Sequence, residues 1–335
     1  MIYNIKNIMH SYNGATAFET SDLSIPKASI TGLAGPNGAG KTTLLNILGL
    51  IYKPTSGIVL FKGKPVQPFS KFAKSKITLL NQEPYLLKRT VFNNVAYGLM
   101  LRKETKNIKD KVYHALDAVG LDGGSFSSRF WSELSGGEAR RVALAARLVL
   151  NPDVLILDEP TANIDAESSI LIRQAALNAR DKHGTTLIIS SHDHEWLYDV
   201  SDTVLNLYNG KILSGDRLSL IFGPWEPTKT TLFKKEGADF LIPEPPAAKA
   251  VAYLSADAVG ICHTKEQVPQ NASYIRARLK SVMIDSKTGK RYGTLKAKDL
   301  TLLSELDNNR QAHVTPETGQ TVFVFYDPCT IKFTT

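Results

Sequence analysis

The stretch that most limits what this chain can become is Gly35-Pro36-Asn37-Gly38-Ala39-Gly40-Lys41-Thr42-Thr43. It follows the apolar run Ala28-Ser29-Ile30-Thr31-Gly32-Leu33-Ala34 and opens into the helical pattern Leu44-Leu45-Asn46-Ile47-Leu48. A phosphate loop needs those parts in that order. The strand delivers the backbone, the glycines let successive N–H groups turn inward around an anion, and the helix points its positive N-terminal end at the same spot. Residues Gly35, Pro36, Asn37, Gly38, Ala39, Gly40 and Thr43 then wrap the nucleotide. Lys41 supplies a positive charge for the β- and γ-phosphates, and the Thr42 hydroxyl is placed to ligate Mg²⁺. The pattern predicts a nucleoside triphosphate site.

A chain of 335 residues with 43% hydrophobic content can fill two cores. The net charge of +8 and pI near 9.2 invite a nucleic-acid reading. Because Lys and Arg are dispersed, with no basic stripe interleaved with aromatics, no nucleic-acid partner is expected. An anionic membrane surface suits the same charge. Cys262 and Cys329 are too few for a disulfide framework and lack metal-ligand spacing, so buried thiols in a reducing compartment are expected. No signal-peptide core follows Met1, and no apolar run approaches the roughly 20 residues of a membrane span. The expectation is a protein of the cytosol that meets the membrane through a partner.

Ahead of the loop, alternating positions Ile2, Asn4, Lys6 and Ile8 and the turn signal Asn13-Gly14 predict a small antiparallel sheet. Tyr12 sits beside that turn, and its spacing fits core or surface. The strand Ile77-Thr78-Leu79-Leu80 ends in Asn81-Gln82-Glu83-Pro84. At the carboxyl end of a parallel strand, Gln82 can reach a metal or a water at a γ-phosphate. From Thr90 to Gly120 the apolar positions repeat at helical spacing, which predicts a helical insertion, and Gly123 to Ser128 reads as a loop.

Leu134-Ser135-Gly136-Gly137-Glu138 begins another helix. Ser135 and Glu138 have capping-box spacing, which is a purely structural reading. Alternatively Ser135, Gly136 and Gly137 bare the N–H groups of a helix N-terminus as a second anion site, which suggests two chains sharing nucleotides. The run Asp153-Val154-Leu155-Ile156-Leu157-Asp158-Glu159 reads as a central parallel strand ending in two acids. Asp158 would hold Mg²⁺ and Glu159 would take a proton from an attacking water. His192, just past the strand Thr185 to Ser190, emerges at the same edge and can reach the γ-phosphate.

Together these segments resemble the ATP-binding subunits of ABC transporters over roughly residues 1 to 220. Gly35 to Thr42 stand as Walker A, Gln82 as the Q-loop, Leu134 to Glu138 as the signature and Leu155 to Glu159 as Walker B. Ala162-Asn163-Ile164-Asp165 is similar to the D-loop and His192 to the switch histidine. The resemblance implies that Tyr12 stacks on adenine. It also implies a head-to-tail homodimer in which Lys41, Thr42, Asp158, Glu159 and His192 face the signature of the other chain. A membrane-spanning permease would dock on the insertion between Lys88 and Phe130, with a solute-binding protein acting indirectly, at the cytoplasmic face of the membrane. Glu138 stands where many members have Gln, and Ala139 where they have Gln or Lys. Since backbone amides do the binding there, little effect on hydrolysis is expected.

The expected fold is α/β. An ABC-type P-loop NTPase domain spans 1–221, with its helical insertion at about 88–145, a linker at 222–246 and a β-rich OB- or TOBE-like domain at 247–335. The linker rests on Pro224-Trp225-Glu226-Pro227 and Pro243-Glu244-Pro245-Pro246, and turns are expected at Lys287 to Lys290 and Glu317 to Gln320. Tyr253 to Ile261 faintly echoes Phe323 to Ile331. The basic segment Arg276-Ala277-Arg278-Leu279-Lys280 offers cations for an oxyanion, or simply alternates its charges into water. The function implied is ATP hydrolysis driving import, with tungstate or molybdate as first solute and sugars or other small solutes next. An exporter or lipoprotein-release ATPase, and a soluble ABC protein acting on ribosomes, are the competing classes.

Overall fold

The computed structural model describes residues 1–83, 85–215, 217–285, 288–307 and 317–334; Pro84 and the Lys287 end of one expected turn lie outside them. The chain divides into two compact units, Met1–Leu197 with Ser201–Ile212, and Tyr198–Val200 with Leu213–Thr335.

In the first unit, β1 (Tyr3–Tyr12) and β2 (Ala15–Ile25) form the expected hairpin. Asn13 and Gly14 both take positive φ at its turn, the twist that lets two right-handed strands continue without splaying. Next come β3 (Ile30–Ala34), α1 (Lys41–Leu48), β4 (Ser56–Phe61), β5 (Lys64–Val66), the single turn α2 (Lys71–Lys74) and β6 (Ile77–Leu80). The insertion carries α3 (Val91–Leu101), α4 (Ile108–Asp117) and α5 (Gly123–Phe126). The last of these is a correction: within Gly123 to Ser128, expected as loop, Gly123 to Phe126 turns helical because the Asp122 carboxylate caps the Ser125 amide at 2.8 Å, and Ser127 and Ser128 remain a turn. Then follow α6 (Gly136–Leu148), β7 (Val154–Asp158), α7 (Ala166–His183), β8 (Thr186–Ser190), α8 (His194–Val200), β9 (Thr203–Tyr208) and β10 (Lys211–Leu213).

Two sheets result, an antiparallel one in the order β2-β1-β4-β5 and a second in the order β10-β9-β3-β8-β7-β6. In the second, β9, β3, β8, β7 and β6 run parallel. Strands β3, β7 and β8 are buried at every position, which is why they read as unbroken apolar runs. Their register brings Asp158 opposite Ser190, and Ser190 opposite Leu33, so that the three carboxyl ends finish level. The core joins both sheets through Leu44, Leu45, Ile47 and Leu48 of α1, and the buried Tyr3 hydroxyl donates to the Leu48 carbonyl at 2.7 Å.

The second unit is antiparallel throughout: β11 (Leu218–Ile221), β12 (Trp225–Pro227), β13 (Phe233–Lys235), β14 (Leu241–Ile242), β15 (Val251–Ser255), β16 (Val259–Cys262), β17 (Ser273–Ile284), β18 (Arg291–Ala297), β19 (Leu300–Glu305), β20 (Thr321–Tyr326) and β21 (Lys332–Thr334). They form sheets in the orders β11-β15-β21, β12-β13-β14 and β16-β20-β17-β18-β19 around one core. The expected linker at 222–246 is therefore corrected. Phe240 and Ile242 are fully buried in that core, and β11 pairs with β15, so the fold changes near residue 212 instead of 221. Proline breaks helices without preventing short edge strands, so these proline-bounded stretches can carry strands where a linker is expected.

The internal echo corresponds to two strand, 3₁₀-turn, strand units that pair crosswise, β15 with β21 and β16 with β20. Along β17, Ile275, Ala277 and Leu279 face inward while Arg276, Arg278 and Lys280 face out. Cys262 is buried as expected and Cys329 is exposed. No helix among the described residues is long and apolar enough to cross a membrane.

The Tyr326 hydroxyl accepts from the Leu241 amide at 2.7 Å and donates to the Leu241 carbonyl at 3.1 Å, and its ring stacks on Phe240 at 4.4 Å. Burial pushes its phenol well above the ordinary value. Tyr326→Phe keeps the stack and removes both hydrogen bonds, so a loss of about 1–2 kcal/mol is expected in urea unfolding of this unit. An unchanged midpoint would show that the residues around 241 are not held by this contact.

Candidate functional site

The loop between β3 and α1 closes tightly on its outer side. A Cβ on Gly35 would lie 2.2 Å from the Leu207 carbonyl oxygen, and one on Gly40, at φ +98°, would lie 2.7 Å from the Ala17 oxygen. Only glycine lets the loop pass beneath its neighbours with its amides turned inward. Residues 36–43, Gln82, Asp158, Glu159 and His192, with Ala17, Ala162 and Asn163, line one cavity of about 400 Å³. The order of the strands explains the convergence. Gln82, the two acids and His192 all follow carboxyl ends of parallel strands, on the edge where the phosphate loop begins.

Lys41 is buried, and its ammonium donates to the carbonyls of Gly35 at 2.7 Å and Pro36 at 3.1 Å. Burial lowers its pKa, while Glu159 and Asp158 pull it back up. The Thr42 hydroxyl donates to Asp158 Oδ2 at 2.9 Å and the Ser190 hydroxyl to Asp158 Oδ1 at 2.6 Å. Glu159 takes a left-handed φ of 47°, strained for a side chain with a Cβ. Its amide is held by Ser190, both at Oγ (3.0 Å) and at the carbonyl (3.2 Å). The turn keeps its carboxylate in the cavity. There Oε2 accepts from the His192 amide at 3.1 Å, and buried Oε1 has no hydrogen bond, with His192 Nε2 3.4 Å away. A hydroxyl, a carboxylate and an amide oxygen make a set suited to a small hard cation that also keeps phosphate ligands.

Other residues singled out from the sequence lie outside the cavity lining. Tyr12, 44% exposed, meets the Thr43 side chain and stands edge-on to His10 at 4.8 Å. Ser135 caps α6, which Gly136 and Gly137 open, and none of the three lines the cavity. The capping box is formed, with the Ser135 amide donating to Glu138 at 2.8 Å and the Glu138 amide to Ser135 Oγ at 3.2 Å. A Cβ on Gly137 would fall 2.3 Å from Ser168 Oγ, so this glycine is needed for packing as well. Asp165 caps α7 through the Ser168 amide at 2.7 Å, and that bond holds its carboxyl below the usual range.

Two residues were missed from the sequence. Ser190 ends an apolar strand just as Gln82 follows one, so the signal was present. Arg140 gave none. Its buried guanidinium donates to the carbonyls of Gln82, Glu159, Pro160 and Ala162, the last at 2.6 Å, which ties α6 to the two segments of the site that follow β6 and β7.

A strand, a phosphate loop, a helix and acids ending a neighbouring strand define the P-loop nucleotide-hydrolase class. The sequence matches the ABC transporter family over residues 18–162. It is 37% identical over 217 residues to the tungstate uptake system ATP-binding protein TupC of Peptoclostridium acidaminophilum, covering 64% of this chain and 99% of that one. It is 34% identical to the Fe(3+) ions import ATP-binding protein FbpC of Photobacterium profundum, covering 62% of this chain and 59% of that relative's length. Among solved structures, cbiO1 from Clostridium perfringens, part of the ABC transporter complex cbiONQ, matches with TM-score 0.56 and 30% identity over 64% of this chain and 87% of that one. The dimeric bacterial ABC transporter cassette MJ0796 matches with TM-score 0.59 and 25% identity over 63% and 97%. The chain belongs to the ABC transporter family and is an ATPase of it, of the kind that drives import.

Arg140→Lys keeps one charge but cannot reach four carbonyls with one ammonium. A stability loss of about 2–4 kcal/mol is expected in denaturant unfolding of the first unit, with less than half recovered relative to Arg140→Ala. Full recovery by lysine would reduce Arg140 to a charge without geometric work.

Proposed function

We propose that this chain hydrolyses ATP at the cavity between Lys41 and Glu159 as one half of a homodimer, and that hydrolysis drives oxyanion import, tungstate or molybdate, through separate membrane-spanning subunits. The observation that carries the reading is the convergence of Lys41, Thr42, Gln82, Asp158, Glu159 and His192 on one cavity while Ser135 to Gly137 stay outside it. Within one chain the second anion-binding helix end has nothing to bind, and a head-to-tail partner would bring it over the γ-phosphate.

In this reading the loop amides of 36–40 and the Thr43 side chain hold the phosphates, Tyr12 stacks on adenine and Lys41 moves from its loop carbonyls to the β- and γ-oxygens. Mg²⁺, held by Thr42 and Asp158 with Gln82, would supply charge neutralisation for the phosphate oxygens. Glu159 Oε1 takes a proton as the water oxygen bonds to γ-phosphorus, and the P–O bond to the β-phosphate breaks, leaving ADP and phosphate. His192 holds Glu159 through its amide and steadies the γ-phosphate through its ring.

The insertion exposes Phe130 near the start of α3 and Met100 and Leu101 at its end, apolar side chains that a membrane subunit could cover, which would hold the chain at the cytoplasmic face of the membrane. The oxyanion is supported by the similarity to TupC. With 217 matched residues making up 99% of that relative, TupC has no room for a counterpart of the second unit, read here as a TOBE-like regulatory domain. The oxyanion reading therefore rests on the first unit, and a solute-binding protein would deliver the anion.

Glu159→Gln keeps size and hydrogen bonding but removes the base. ATPase turnover is expected to fall by about 10²–10⁴ with ATP affinity retained. Light scattering of this variant should show a dimer with ATP and a monomer with ADP, and a mass indifferent to nucleotide would count against the shared site. For the solute, cells lacking the chain should accumulate less labelled tungstate than cells carrying it. Uptake unchanged for tungstate and molybdate, beside a loss for another solute, would move the assignment.

A further inference from the structure

Residues 23–82 contain eight lysines and not one Asp or Glu, and five of those lysines lie between 62 and 76. Dispersed along the sequence, they do not read as a stripe. The fold gathers them, because β4, β5, α2 and the start of β6 are neighbours. Asp153 neutralises two of the five, holding Lys62 at 2.7 Å and Lys76 at 3.5 Å. Among the described residues Lys64, Lys71 and Lys74 form no salt bridge, and all three are exposed.

Two phenylalanines stand among them. Phe69, at the turn before α2, is 80% exposed, and Phe72 is 38% exposed. The Lys74 ammonium lies 5.8 Å from the Phe69 ring centroid, and those of Lys64 and Lys76 lie 5.0 and 5.5 Å from that of Phe72. A ring as exposed as Phe69 is costly in water, and the Lys64, Lys71 and Lys74 ammoniums, without salt bridges, are costly in an apolar protein interface. The boundary of an anionic bilayer satisfies both. Rings settle at headgroup depth while lysines meet lipid phosphates and carboxylates. Single-stranded nucleic acid stacks bases on successive rings, and only Phe69 offers one, since Phe72 is 38% exposed and carries the Lys64 and Lys76 ammoniums.

From these residues we infer that the Lys64, Lys71, Lys74 and Phe69 patch binds the anionic lipid surface of the membrane directly. This contact is separate from any made through a membrane subunit. The patch lies at the amino end of β6, whereas Gln82 follows its carboxyl end into the nucleotide cavity. Lipid and nucleotide can therefore be held at the same time, and the lipid contact can be removed without touching the catalytic machinery.

The test is co-sedimentation of the purified full-length chain with vesicles of phosphatidylcholine alone and of phosphatidylcholine with phosphatidylserine. Binding is expected on the anionic vesicles only, weakening as salt rises. Lys64→Ala/Lys71→Ala/Lys74→Ala should lower the partition coefficient about a hundredfold, at about fivefold per lysine. Phe69→Ala should lower it about tenfold. ATP binding, measured on the same samples, should be unchanged in both variants, which shows that they are folded. Equal partition onto neutral and anionic vesicles, or wild-type binding by the triple variant, would overturn the inference. So would lysine-dependent capture of a single-stranded oligonucleotide by a chain that ignores anionic vesicles.

Discussion

Three charged side chains, Lys41, Asp158 and Glu159, are each less than a tenth exposed and share one cavity. Burying an ion costs several kcal/mol unless it is paired and hydrogen-bonded, and the local structure meets that demand. Asp158 accepts from two hydroxyls, Lys41 donates to two carbonyls, and Glu159 is held by the His192 amide. The rest of the first unit can be understood as the scaffold that lets these groups be buried together. Strands with level carboxyl ends, buried on both faces, give each polar group a rigid origin within a few ångströms of the others.

The partial satisfaction of the site matters as much as its hydrogen bonds. Glu159 is turned into a left-handed conformation and keeps one carboxylate oxygen free of hydrogen bonds. A protein stabilising itself alone would not retain both features. Both features fit the role of base proposed for Glu159, with the strain offset by the packing of β7 and β8 around it. Arg140 serves the same end from the other side, since one guanidinium fixes the backbone of the segments after β6 and β7 relative to α6. Movement of α6 would therefore be felt at Gln82 and Glu159 directly.

The second unit depends on a different kind of order. Its strands are antiparallel, with one face inward, and its core includes residues from the proline-bounded stretch around Phe240. Crosswise pairing of its two strand, 3₁₀-turn, strand units closes long loops with backbone hydrogen bonds. Such pairings are visible only as faint repetition in the chain, because each short unit looks like many others.

Alone, the sequence determined the parts whose chemistry is local. The phosphate loop, its strand and helix, the capping box at Ser135 and the strands ending at Asp158 and Ser190 all follow from spacing and residue type, since each is stabilised by contacts a few residues away or by burial on both faces. Tertiary structure decided whatever depends on distant partners. It joined the acids to Thr42, gave Arg140 its four carbonyls, turned an apparent linker at 222–246 into core, and gathered dispersed lysines into one patch. Hydrogen bonds and burial between residues tens of positions apart leave no periodic trace in the chain, and only folding sets which of them meet.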